Sequence, residues 1–571
     1  MSADPHFQET PAGGRGFPLV DFCSPGAMRN RHSCRGTALD STKQPALQPE
    51  PTGLPVLLTL WCSLFLYSAI AAPVPAVNEP HYLCKARHFW QPDWCANDMF
   101  LQSANAHIVF YATVGGLTPW LSLEQSAWVG RALAILVLTF GWWSLMSGFS
   151  TNRWFSLYVC WLFLMLASCG NFSGEWLVGG VEGKVFSYGF LFAALGQFHP
   201  VGLTGMEFRR ALLGGSLAGL AVSFHPVIGI WGLLAFAGTV AIEQLYCRRI
   251  RTGSICPARF EWLDALSGLG ALTVCALPGL IPAVQLITQQ VPGKTGAAAN
   301  FIQVYYRLAH HLDPMTFLPR AYAGYALLIV VWSLARRFNQ RTAAHHRFNR
   351  IVAFSILFAL VGVIIGWGPR PAQQMSGFAL RAQLLKFYPF RLADLLVPLA
   401  ASVAIVNWTE TKRWGSTLLQ RGQFAGFGVL FAFALFRAHA NIEVNRFSGE
   451  VRADWIDSCR WIERNLPADS LVHTPHNGWA FKWFAQRAEY VAFKDCPQDA
   501  AGIVEWNRRL SFLKRWFEEH HADKLYSANE LRQFRAKTKI THILTDRLGP
   551  MELEPIFRNQ TFQVYDLTSL D

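Results

Sequence analysis

From residue 53 onward the chain alternates long apolar runs with short polar stretches. The runs fall at 53–75, 127–148, 154–170, 184–198, 211–224, 226–246, 263–289, 319–335, 351–367, 392–409 and 424–440. Crossing about 30 Å of hydrocarbon takes roughly 20 helical residues at about 1.5 Å each. Most runs approach that length, so the pattern predicts about eleven membrane-spanning helices. The short run 211–224 ends at His225-Pro226 and fits either a full span or a re-entrant, broken helix. There is no internal repeat.

The two ends of the chain read differently. Residues 1–52 are rich in Pro, Gly, Ser and Arg without an apolar period. They predict a disordered cytoplasmic tail or an overcalled start, and are too long and polar for a signal peptide. From about Val444 the chain turns polar. DWIDSCRWIERNLP (454–467) and VEWNRRLSFLKRWFEEHH (504–521) predict amphipathic helices, and SLVHT (470–474), ITHILTD (540–546) and FQVYDL (562–567) predict strands. The fold class expected is therefore mainly α: a polytopic transmembrane helical bundle over 53–443, followed by a C-terminal soluble α/β domain over 444–571.

Composition agrees with this partition. Of 571 residues 52% are hydrophobic and only 15% charged, against about 25% charged in soluble proteins. The net charge of +13 would suit nucleic acid if it were clustered on a soluble domain. Residues 1–52 hold five basic and five acidic side chains and 445–571 eighteen of each, so the whole surplus lies in the membrane module. A nucleic-acid partner loses its basis there, and membrane lipid takes its place.

The surplus also orients the chain. With the N-terminus inside, short inward loops collect Arg153; Arg209 and Arg210; Arg248, Arg249, Arg251 and Arg259; Arg336, Arg337, Arg341, Arg347 and Arg350; and Lys412, Arg413 and Arg421. An odd number of spans then puts the C-terminal domain outside the cytosol, and the protein in the cell (inner) membrane. Three outward loops, 76–126, 290–318 and 368–391, are long enough to carry structure. Within the first, MFLQSANAHIVFYATV (99–114) predicts an amphipathic helix lying at the interface. Twelve cysteines show no paired CxxC spacing, so a zinc site has no support. Cys84 with Cys95, and Cys459 with Cys496, lie where disulfides are permitted.

Candidate chemistry gathers in the outward loops. The first opens with Asn78-Glu79-Pro80-His81-Tyr82, continues through HFWQPDWCAND to Asp98, and adds Ser103, Asn105 and His107. A carboxylate at the mouth of the first span either caps the interface, takes a proton from an acceptor hydroxyl, or holds a divalent cation. His81 and His107 suit either chemical task. The second outward loop, GNFSGEWLVGGVEGKVF, carries Glu175, Glu182 and Lys184 between glycines. Glu182 and Lys184 read first as a solvated pair, and Glu175 beside Trp176 as the cavity-facing acid. RAQLLKFYPFRLADLLVP (381–398) interleaves Arg381, Lys386 and Arg391 with Phe387, Tyr388 and Phe390 just before a span. That mixture fits a lipid-phosphate headgroup with its apolar tail, and equally an interfacial anchor. Arg370 and Asp394 are lesser members, Asp394 a neutraliser of Arg391. His199-Pro200 and His225-Pro226 read as plain turns or as helix breaks lining a cavity. No Walker loop, GxSxG or HExxH element is present, so ATPase, lipase and metalloprotease readings lack support.

An acidic motif after the first span (NEPHY), ten or more spans and a soluble domain after the last, opened here by WIERNLPADSLVHTP, together resemble the GT-C superfamily of membrane glycosyltransferases. The FYPFRL segment matches an uncharacterised group of bacterial membrane proteins. GT-C enzymes move mannose, arabinose or aminoarabinose from polyprenyl-linked donors. The resemblance covers most of 53–571 through short motifs. It implies Glu79 as base or metal ligand and Asp98 as the second acid, with Mg or Mn as the divalent cation. It also implies Arg381, Lys386 and Arg391 as phosphate contacts and a lipid-linked sugar donor as partner. The usual acidic pair is Asn78-Glu79 here, one carboxylate short, which puts the two-acid mechanism in doubt. The alternatives are a transporter and a non-catalytic envelope protein. A transporter should show matching halves and midplane charges. Here the charges sit in outward loops and no halves match, which favours the glycosyltransferase.

Overall fold

Each predicted apolar run coincides with a helix in the computed structural model. The structure describes residues 53–570 apart from 170, 199–206, 250–261, 290, 339–341, 412–416, 441–446, 448, 477 and 522. The predicted tail 1–52, His199-Pro200, Arg251, Arg259, Arg341, Lys412, Arg413 and the first residues of the 444–571 domain lie outside the described residues. The helices are Leu54–Ala71, Leu123–Met146, Phe155–Cys169, Gly183–Phe198, Phe208–Phe224, Pro226–Arg249, Trp262–Thr288, Pro319–Ala335, Ala343–Gly366, Arg391–Thr411 and Thr417–Ala440. Among the described residues, seven helices are long and apolar enough to cross a membrane by themselves. Four others have 15 to 17 residues. Phe208–Phe224 is one continuous helix, and Pro226 starts the next directly after His225.

Glycines let these helices touch backbone to backbone. A Cβ on Gly141 would sit 2.0 Å from the carbonyl oxygen of Gly189, and one on Gly215 equally close to that of Gly268. Small residues at such crossings replace the hydrophobic drive that is missing between helices in lipid. Partly buried charges between the helices are paired. Arg347 and Arg350 share Glu243 at 3.1 and 2.8 Å.

The loop 76–126 departs from expectation. Residues 99–114 form three short pieces, Met99–Gln102, Ile108–Ala112 and a 3₁₀ turn Val114–Leu117, with Phe100, Leu101, Phe110 and Tyr111 buried. The reason is Lys85, in the preceding helix Glu79–Trp90. Its ammonium donates to Phe100 O (2.6 Å), Ser103 O (2.9 Å) and Ser103 Oγ (2.8 Å). It thereby stops the first turn and ties the segment inward instead of leaving it on the membrane surface.

The C-terminal domain is a five-stranded sheet of order β2-β1-β3-β5-β4, with β1 Leu471–His473, β2 Ala488–Glu489, β3 His542–Thr545, β4 Phe557–Arg558 and β5 Gln563–Asp566. The β1 pairings are parallel and those of β5 antiparallel. Helices Gly449–Asn465 and Ala500–Glu519 match the two predicted ones. Two-residue β2 and β4 are too short to show alternation; the helix Ala528–Thr538 was not predicted, although Leu531, Phe534 and Thr538 share its buried face and Ser527 and Glu530 form its capping box. Trp455, Cys459, Ile462, Val472, Leu544, Phe562 and Val564 form the domain's inner core. Cys84, Cys95, Cys459 and Cys496 all carry free thiols.

Candidate functional site

Seven chain segments converge on a cavity of about 330 Å³. Its wall includes Asn78, His81 and His107 from the loop 76–126, and Glu175, Glu182 and Lys184 from the segment 171–184. His225 comes from the break between two spans, Arg307, His310 and His311 from the loop 290–318, Lys386, Tyr388 and Arg391 from the approach to a span, and Lys494 and Gln498 from the C-terminal domain. Five of these side chains are Lys or Arg and two are carboxylates. A pocket of this size and charge is fitted to a small anionic group with an apolar extension, since Ala283, Leu286 and Ile287 complete its rim.

Glu182 is central. It is 3% exposed, accepts from Asn78 Nδ2 at 2.6 Å and lies 3.6 Å from Lys184 Nζ. Burial pushes its carboxyl above the ordinary value, while Lys184 and Asn78 oppose the rise. Lys184, 5% exposed, also lies 3.6 Å from Glu175 and stands 3.5 Å from the centre of the Trp176 ring. This is a buried charge cluster and not the solvated pair that the sequence suggested. Glu175 reaches Arg391 Nε at 2.8 Å. Arg391 contacts His225 Nε2 at 3.1 Å through Nη1 and stacks 4.0 Å above the Tyr388 ring. Tyr388 holds a left-handed backbone (φ 55°), a conformation costing of order 1–3 kcal/mol for a bulky residue, and that bend turns the chain into the helix Arg391–Thr411. Lys386 donates to Asn300 Oδ1 at 3.1 Å, and its ammonium is lowered by burial.

Five histidines line the cavity: His81, His107, His225, His310 and His311. Burial holds His107 and His311 down to about 3 and lowers His81 and His310. Arg307 ends a π-turn, Ile302–Arg307, and donates to Lys494 O at 2.9 Å. Its Nε is buried without a hydrogen-bond partner.

The loop that presents Glu175 and Glu182 is held from both ends by buried carboxylates. Asp394 accepts from the backbone N–H groups of Phe172, Ser173 (2.9 Å) and Glu175 (2.9 Å) and from Ser173 Oγ (3.0 Å). Glu79, fully buried, accepts from Ala76 N (2.6 Å), Val181 N (2.9 Å) and twice from Arg131 (2.6 and 2.8 Å). A Cβ on Gly180 would meet Ala76 Cβ at 2.4 Å, so only glycine lets the loop lie this close.

Three comparisons bear on the chain. Residues 453–513 match a family described as a domain of unknown function, DUF6798. No curated protein matches the chain. In three dimensions it is similar to ArnT. That structure, from Cupriavidus metallidurans bound to undecaprenyl phosphate, is 12% identical with a TM-score of 0.49, covering 90% of this chain and 98% of that one. The apo form of the same protein gives 12% and 0.39 over 91% and 98%. An oligosaccharyltransferase of Archaeoglobus fulgidus in complex with Zn and sulfate gives 12% and 0.34, covering 85% and 68%.

Set against the sequence reading, His81, His107, Glu175, Lys386 and Arg391 line the cavity together. Glu79, Asp98 and Arg381 do not. Glu79 commits both oxygens to Arg131 and two backbone amides. Asp98 caps Met99–Gln102 through Leu101 N (3.0 Å) and accepts from Glu489 N (3.1 Å) and Lys482 (3.2 Å). The two acids share no partner, and their oxygens are taken by protein donors, so they do not fit a joint Mg or Mn site. Among the described residues no group of three or more His, Cys, Asp or Glu is arranged to hold a metal ion. Arg381 caps a helix end instead, donating to Ile365 O (2.7 Å), Trp367 O (3.2 Å) and Ser376 O (3.1 Å). Arg370 pairs with Asp313, and Asp394 braces the loop 172–175 in place of neutralising Arg391.

Reading the sequence undervalued Asn78, Glu182, Lys184 and His225, all visible as polar residues beside spans. Arg307, His310, His311 and Lys494 were missed. Their signal, cations and imidazoles in a long outward loop and in a distant domain, becomes legible only when the fold brings them together.

Proposed function

We propose that this protein is a GT-C-type membrane glycosyltransferase that moves a sugar from a polyprenyl-phosphate-type lipid donor to an acceptor hydroxyl at the outer face. The observation that carries the reading is one cavity whose wall brings Lys184, Arg307, Lys386, Arg391 and Lys494 together with Glu175 and Glu182. A lipid phosphate leaving water needs cations there to offset its desolvation. Arg391 and Lys184 are largely answered by Glu175 and Glu182. Arg307 and Lys386, whose polar contacts are to a backbone carbonyl and an amide oxygen, are therefore the residues we assign to the phosphate. The apolar rim at Ala283, Leu286 and Ile287 suits the first units of the tail.

In this scheme Glu182 is the base. The acceptor oxygen attacks the anomeric carbon and its proton passes to the Glu182 carboxylate. The carbon–oxygen bond to the phosphate breaks, and its electron pair stays on the phosphate oxygen facing the cations. A raised carboxyl pKa strengthens the base, and preorganised cations stabilise the departing charge without rearranging solvent. Asn78, the position where a second acid was expected, fixes the Glu182 oxygen. The arginine-rich loops at the opposite ends of the spans support an outward-facing cavity, and the bundle is the integral-membrane part.

The test uses the full chain in lipid nanodiscs with undecaprenyl-phosphate-linked sugars and a panel of hydroxyl acceptors. Release of undecaprenyl phosphate that depends on acceptor, and is lost in Glu182→Gln, supports the reading. Retention of undecaprenyl phosphate by native mass spectrometry should need Arg307 and Lys386. No retention and no release with any donor would remove the reading.

A further inference from the structure

We propose that the 453–513 segment is part of the active site: Lys482 clamps it onto the first outward loop, and the clamp sets both His81 and the 494–498 wall of the cavity. The inference rests on the transferase reading only for what the wall does, not for how it is held.

Lys482, 4% exposed, lies 2.7 Å from Asp495, 3.0 Å from Glu489 and 3.2 Å from Asp98. The first two carboxylates belong to the C-terminal domain and the third to the outward loop. Asp495 in turn meets His81 Nδ1 at 3.0 Å, and His81 and the neighbouring Lys494 both line the cavity. Glu489 accepts from Thr474 Oγ1 and passes its backbone N–H to Asp98 at 3.1 Å.

One ammonium among three carboxylates, Asp98 and Glu489 buried and Asp495 nearly so, is stable only if each acid has further donors, because breaking a buried pair leaves a charge uncompensated. Here the missing donors are split between the two parts. Asp98 needs Lys482 and Glu489 N from the domain, and Asp495 needs His81 from the loop. The charge set closes only on docking, so docking and completion of the cavity are one event. Contacts outside the carboxylate cluster fix the same register: Asn97 Nδ2 to Asp469 O (2.9 Å), and Arg87 (3.2 Å) and Trp94 (3.1 Å) to Gln486 Oε1. On the cavity side Gln498 approaches His107 at 3.4 Å. Asp495 is thus a positioning residue, acting through His81 and through the loop that follows it.

The experiment compares wild type, Asp495→Asn and Lys482→Met as full chains in nanodiscs. Deuterium exchange over 76–90 and 491–499, thermal unfolding, undecaprenyl phosphate retention and transfer kinetics are measured together. Asp495→Asn keeps the size and should fold even if Lys482→Met does not. For Asp495→Asn, which leaves Lys482 paired with Asp98 and Glu489, the expected result is faster exchange confined to those two segments, unchanged unfolding temperature, donor retention within about threefold of wild type and a turnover number at least tenfold lower. Unchanged exchange over 491–499 overturns the proposal. So does a parallel loss of unfolding temperature and donor retention, which would make the cluster merely structural. If wild type transfers nothing, the transferase reading fails while the exchange measurement still decides the clamp.

Discussion

Replacing Glu79 with glutamine should unfold the protein more easily without touching the chemistry. Glutamine keeps the shape but removes the charge opposite Arg131, itself 1% exposed. Glu79 accepts two charge-assisted hydrogen bonds from that guanidinium and two from backbone amides. Removing one partner of a buried ion pair costs about 3–5 kcal/mol, because the other stays buried and unanswered. That is roughly a hundredfold to several-thousandfold shift in the folded-to-unfolded ratio, at about 1.4 kcal/mol per tenfold. The double substitution Glu79→Met with Arg131→Met removes both charges and should recover most of the loss. Equilibrium unfolding in mixed micelles, followed by tryptophan fluorescence, measures all three proteins. Folded Glu79→Gln should still retain undecaprenyl phosphate. If it unfolds like wild type yet transfers nothing, Glu79 is a chemical group and the bracing argument fails.

Four other outcomes are expected. Transfer should fall as pH drops through the raised Glu182 value, because the protonated acid cannot accept the acceptor's proton; a pH–rate profile should place that limb above an ordinary carboxyl, and Glu182→Gln should abolish it. Lys386→Ala and Arg307→Ala should each weaken undecaprenyl phosphate retention about tenfold to a hundredfold, the scale of a charge-assisted bond of about 1.5–3 kcal/mol, read by titration under native mass spectrometry. Asp394→Asn should speed amide exchange over 172–175 and slow transfer, since one accepting oxygen becomes an NH2 group that cannot accept from the backbone amides. His107 and His311 are held neutral down to about 3 against 6.5 when free. The unfolded chain therefore binds the extra protons, and stability should decline as pH falls below 6.5, visible in unfolding midpoints.

Much of the architecture was legible because a bilayer imposes its own ruler on a sequence. Each apolar run became a helix, and the soluble domain announced itself at Val444 by a change of composition. What failed was local and polar. The 99–114 period was real, but Lys85 outbid it for the carbonyls of Phe100 and Ser103. At the site, residue type pointed to the right loops and sometimes to the wrong member. Glu79 stood out as the acid of the motif, yet its neighbour Asn78 faces the cavity and holds Glu182. Which of two adjacent side chains turns inward depends on Arg131, fifty residues away, and no spacing rule carries that information. Lys482 and Asp495 were invisible for the same reason, since their meaning lies in Asp98 and His81.

The helix Phe208–Phe224, described above as continuous, has 17 residues and so spans about 26 Å, a few ångströms less than the roughly 30 Å of hydrocarbon around it. It ends at His225, inside the cavity wall. A bilayer meets a short helix by thinning beside it. The headgroup plane would then dip toward His225 and Arg391, which shortens the climb that a long-chain lipid phosphate makes on entry. Membrane thickness would become a control on the rate of this protein, and thicker bilayers should slow it while leaving its fold intact.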